Sequence, residues 1–106
     1  MPKYLFQASY TVEGVKGLLK DGGTGRRAAI EQTIKGLGGK LEAVYFAFGQ
    51  DDVFVIVDAP DNMSVAAVSL AVTASGAANV RTTVLLTPEE MDQATKKTVS
   101  YRPPGH

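Results

Sequence analysis

A chain of 106 residues, 44% apolar and 21% charged, is long enough for one hydrophobic core and too short for two ordinary domains of about 100–150 residues each. Eleven basic side chains cancel eleven acidic ones, so the chain lacks the positive field that draws proteins to nucleic acid or anionic membrane, and neither is expected as a partner. With no cysteine, it can form no disulfide, thiolate metal site, cysteine nucleophile or iron–sulfur cluster, and a cytoplasmic home is the default expectation.

Met1-Pro2-Lys3-Tyr4 passes directly into a strand pattern, and no apolar run approaches the roughly 20 residues of a membrane span, so neither a signal peptide nor membrane insertion is expected. From Lys3 to Tyr10, Tyr4, Phe6, Ala8 and Tyr10 alternate with Leu5, Gln7 and Ser9, which is the period of a strand. Thr11 then caps a helix with Val12, Val15, Leu18 and Leu19 at helical spacing, stopped by Asp21-Gly22-Gly23. A second helical arm after Gly25 carries Ile30, Ile34 and Leu37 and ends at Gly38-Gly39. Lys40 to Phe48 and Val53 to Asp58 read as a hairpin joined through Gly49-Gln50-Asp51-Asp52. Asp61 or Asn62 caps a helix whose stripe is expected to be Met63, Ala66, Ala67, Leu70, Ala71 and Ala74, ended by Gly76. A last strand spans about Val80 to Leu86, and Thr87-Pro88-Glu89-Glu90 opens a short helix. About 98–106 forms an irregular tail.

The order β-α-β-β-α-β predicts a single α+β domain over 1–106: a ferredoxin-like, four-stranded antiparallel sheet with both main helices on one face. Bulky apolar residues occupy both faces of the strands. Tyr4, Phe6 and Tyr10 oppose Leu5; Leu41, Ala43 and Tyr45 are read against Val44, Phe46 and Phe48; and Val53, Val55 and Val57 oppose Phe54 and Ile56. The bare face would be a large apolar patch, so a homodimer or higher oligomer through that face is expected, with the terminal helix and tail sealing its edges.

Three segments together, Tyr10-Thr11-Val12-Glu13-Gly14-Val15-Lys16-Gly17, Gly38-Gly39-Lys40-Leu41, and Gly49-Gln50-Asp51-Asp52 followed by Val53 to Pro60, resemble the GYD domain family over about Lys3 to Thr87. In the glycine, tyrosine, aspartate signature of that family, Gly49 and Asp52 fit and Asp51 stands where the tyrosine would be. The resemblance implies a bacterial or archaeal protein of the dimeric α/β-barrel type, in a family without an established activity. Haem-degrading relatives of that fold use a histidine ligand, and here the only histidine is His106.

Because His106 is terminal, a serine triad, a histidine-ligated haem and an ordinary zinc site each lack a ligand, and no cofactor or metal is expected. Asp51 and Asp52 suit a turn held by local amide bonds, and Asp52 would also suit a base beside Lys16 or a tyrosine. Asp58 ends an apolar strand, where a carboxylate satisfied by arginine or backbone amides competes with a proton-transfer role. Tyr10 and Tyr45 are expected on one inward face, as core residues or as the lining of a cavity. Lys16 reads as a solvated charge or, turned across the end of the first strand, as a carboxylate anchor. Asp21-Gly22-Gly23-Thr24-Gly25-Arg26-Arg27 reads as a helix break, or as a glycine loop opening a helix where amides and the two arginines, Arg26 and Arg27, would meet an anion. Catalytic candidates are therefore Tyr10, Lys16, Tyr45, Asp52 and Asp58, and ligand-binding candidates are Tyr10, Thr11, Lys16, Arg27 and Tyr45. A small-molecule-binding or regulatory oligomer ranks first. A cofactor-independent oxygenase or isomerase acting on a small organic acid or phenol, and a purely structural interaction module, are the alternatives.

Overall fold

The computed structural model describes residues 1–106. It contains β1 (Lys3–Tyr10), α1 (Val12–Gly36), β2 (Lys40–Phe46), β3 (Val53–Asp58), α2 (Asn62–Ala74), β4 (Ala78–Leu85) and α3 (Pro88–Thr95). The four strands form one antiparallel sheet in the order β2-β3-β1-β4. Each long helix joins two strands that have a third between them, so the expected ferredoxin-like α+β arrangement is the observed one. No helix is long and apolar enough to cross a membrane.

Cross-strand register explains the core. Tyr4, Phe6 and Ala8 of β1 pair with Val57, Val55 and Val53 of β3, and all six are buried, with Val57 fully so. Alternation places them on one face, where Ile34 of α1 and Val65 of α2 close over them. The opposite face carries Leu5, Gln7 and Ser9 of β1 with Phe54, Ile56 and Asp58 of β3, all half-buried.

Two expectations about the helices are corrected. The inward side of α2 is Val65, Val68 and Val72, while Met63 and Leu70 are exposed. This helix is apolar around most of its circumference, so periodicity gives it no direction, and the valine side is the one that settles onto the sheet. In the first half of α1, Val12, Val15 and Leu19 point to solvent, and Gly14 is the buried contact. A Cβ at Gly14 would meet the Ala77 carbonyl and the Tyr10 ring, so only glycine permits this approach. The expected helix break is present and confined to Gly22, with φ 72° and ψ 171°, a region essentially reserved for glycine, and helix on both sides of it replaces the alternative of a glycine loop.

Strand β2 holds the third correction. Its pairing slips between Leu41 and Ala43, a bulge that leaves Glu42 as an extra residue. Leu41, Val44 and Phe46 consequently share the helix-covered face, and Ala43 and Tyr45 share the open one. Strict alternation had put Leu41 with Tyr45.

Helix caps follow the sequence closely. Thr11 and Asp61 accept from the amides of Gly14 and Ser64, and Thr87 with Glu90 forms a capping box at α3. Residues beyond Lys97 lack regular structure up to a terminal turn and are exposed. The radius of gyration, 16.7 Å, exceeds the roughly 13 Å of a compact domain this size. Replacing Gly22 by alanine is expected to lower stability by about 1–3 kcal/mol, measured by urea unfolding. An unchanged midpoint would show that the break does not depend on glycine.

Candidate functional site

A gap between α1, α2 and the sheet forms a cavity of about 240 Å³. Its floor is Phe6, Ala8, Tyr10, Val53, Val55 and Val80, and its walls are Arg26, Ala29, Ile30, Thr33 and Ile34 from α1 with Val68 and Val72 from α2. Eleven of these 13 residues are hydrophobic, so the lining is apolar with a few polar groups, the usual composition of a small-molecule site. A wider depression of about 400 Å³ lies between α2 and β4, near Tyr4, Leu70 and Val84. Leu70 and Val84 are exposed there. It is a surface groove, and the cavity between the helices and the sheet is the more enclosed of the two.

Polar groups at the cavity have few competing partners. Arg26 contacts Asp21 at 3.5 Å, longer than a charge-assisted hydrogen bond of about 2.7–2.9 Å. The Thr33 hydroxyl donates to the Ala29 carbonyl at 3.1 Å. Tyr10 is tied to the fold by its backbone, whose N–H donates to Asp52 Oδ2 at 2.7 Å. Its phenol has no hydrogen-bond partner within the chain.

The sequence candidates separate into distinct places. Tyr10 lines the cavity, whereas Tyr45 pairs with Phe54 on the open face and is exposed. The bulge at Glu42 is the reason the two do not share a face. Thr11 is occupied at the helix junction, since its hydroxyl lies 2.6 Å from the Gly76 carbonyl and accepts from the Gly14 amide at 3.2 Å. Lys16 sits in solvent, 3.6 Å from Glu13, and meets neither Asp52 nor a tyrosine. Arg27 is exposed, and its neighbour Arg26 faces the cavity. The spacing of Arg26, Ile30 and Ile34, four residues apart, is the signal that identifies Arg26.

Asp51 and Asp52 are structural in different ways. Where β3 begins, Asp52 continues the ladder: its amide donates to the Ala8 carbonyl at 2.8 Å and its carboxylate receives the Tyr10 N–H. Asp51 is buried beside the open face, within hydrogen-bond reach of Gln7 Nε2 at 3.3 Å and Ser9 Oγ at 3.2 Å, and it pairs with Arg81. Asp51 is a carboxylate clasp joining the hairpin to β1 and β4. At the other end of this face Lys3 bridges Glu42 at 2.7 Å and Asp58 at 3.0 Å. The partner of Asp58 is thus a lysine rather than the expected arginine or backbone amide.

Glu42 first, and Asp58 second, raise the pKa of Lys3. A raised lysine pKa contributes stability that is fully present below the unfolded value, about 10.4, and is lost as pH rises through the folded one. The stability difference between the wild type and Glu42→Gln should accordingly shrink above about pH 10.4 in urea titrations; a constant difference would separate Glu42 from the lysine's ionisation. Asp51→Ala removes the acceptor of Gln7 and Ser9 and should cost about 1–3 kcal/mol. Arg81→Ala should cost less, its side chain being 63% exposed.

The family profile of the GYD domain matches residues 4–95. No curated protein and no solved structure matches the chain significantly.

Proposed function

The chain belongs to the GYD domain family, and from that premise we propose that it is a small-molecule-binding or regulatory module that works as a homodimer or higher oligomer joined through the open sheet face. The apolar cavity between the helices and the sheet is the observation that carries the binding part. It is smaller than the roughly 300–1,000 Å³ of drug-sized sites, so the ligand is small. A reading as a cofactor-independent enzyme has less support, because Tyr10, Lys16, Tyr45 and Asp52 do not converge on one place where a proton could be passed among them.

Self-association is supported by what the single chain leaves uncovered. Only 12 of 106 residues are buried, and Tyr45 is 69% exposed on a face that also carries Leu5, Phe54 and Ile56. Most charges flanking this face are paired within the chain, Lys3 with Glu42 and Asp58, and Arg81 with Asp51, while Lys40, opposite Asp58 at the end of the face, is exposed without an ion pair. A second copy of the same face therefore adds apolar contact around Leu5, Phe54 and Ile56 and leaves the unpaired Lys40 at the end of β2, where it can stay in water.

Native mass spectrometry of the purified protein tests both parts. The expected species is a dimer or larger assembly carrying additional small-molecule mass. Ile56→Asp should yield a folded monomer, and Val72→Phe, which fills the cavity, should keep the assembly and lose the extra mass. A wild-type monomer would refute association through the sheet, and extra mass that persists in Val72→Phe would place the ligand elsewhere.

A further inference from the structure

Building on the reading of the cavity as a ligand site, we infer that its ligand is a small apolar molecule bearing one carboxylate, with the acid group on Arg26 and the apolar body against Phe6, Val55, Val68 and Val72. Arg26 is the only charged residue among those lining the cavity, so a cation would find no counter-charge there and an uncharged ligand would leave the guanidinium unused. A guanidinium presents a planar fork that matches a carboxylate through two parallel hydrogen bonds. The existing contact to Asp21, at 3.5 Å and with that aspartate side chain 42% exposed, leaves the fork free to take a second acid.

The helix break reinforces this assignment. Asp21 precedes Gly22 and Arg26 follows it on the next helical arm, so the aspartate is not fixed to the arginine by a continuous helical turn. Tyr10, on the cavity floor, adds a hydroxyl donor with no partner in the chain, suited to a carboxylate oxygen. Thr33 adds little, because its hydroxyl is directed to the Ala29 carbonyl. The lining thus offers donors and almost no free acceptor, the pattern that selects an anion over an alcohol or an amine.

Isothermal titration of the full-length protein with octanoate and with 1-octanol, two probes of the same chain length, measures the contribution of the acid group. Octanoate should bind at least roughly tenfold more tightly than octanol. Arg26→Gln should reduce that ratio to near one while octanol affinity is unchanged. Asp21→Asn, which frees the guanidinium, should tighten octanoate without affecting octanol, a gain that misfolding would not produce. Equal affinity of the wild type for the two probes overturns the carboxylate assignment and leaves the apolar cavity in place, whereas binding of neither probe overturns the ligand-site reading together with it.

Discussion

Strand β1 is hydrogen-bonded on both sides, to β3 and to β4, and the rest of the structure depends on this central position. A strand with neighbours on either side contributes both of its faces to the middle of the sheet, so each alternate residue has a fixed destination. Tyr4, Phe6, Ala8 and Tyr10 become the surface on which the helices rest. Leu5, Gln7 and Ser9 become the centre of the open face. The strand therefore supplies Phe6, Ala8 and Tyr10 to the cavity floor and Leu5, Gln7 and Ser9 to the open face, and a one-residue slip in its register would exchange the two sets.

The carboxylates at the start of β3 keep β1 in register at its far end. The side chain of Asp52 accepts the Tyr10 amide where the ladder would otherwise leave it free, and Asp51 gathers Gln7, Ser9 and Arg81 from two adjacent strands. Satisfying a buried acid with several donors stabilises it where a lone carboxylate would be costly. The hairpin loop is thereby tied to the sheet it leaves, and Tyr10 is held at the edge of the cavity by groups that never touch its ring.

Much of this architecture is legible in the sequence because strand alternation, capping residues and glycine stops act locally. Thr11, Asp61 and Thr87 mark helix starts by chemistry that needs no tertiary context, and the alternation of β1 and β3 assigns their faces correctly. Misread features are those that tertiary structure decides. Nothing in Lys40-Leu41-Glu42-Ala43 announces a bulge, yet one extra residue moved Tyr45 away from Tyr10. The orientation of α2 was hidden by an apolar circumference, and the exposure of Val12, Val15 and Leu19 follows from Gly14 reaching Ala77. Arg26 and Arg27 are equivalent in the sequence motif, and only the helical spacing to Ile30 and Ile34 separates the one that faces the cavity from the one that faces solvent.

The bulge at Glu42 also separates strand length from strand register. Leu41 still faces Val57 and Ala43 still faces Ile56, so the extra residue is absorbed without exchanging inside for outside further along β2. Edge strands with such a buffer accept insertions and deletions of one residue that would scramble a regular strand. The descendants of a gene encoding this sheet can gain or lose a residue here while keeping the same interior, and the variable product is the carboxylate delivered to Lys3.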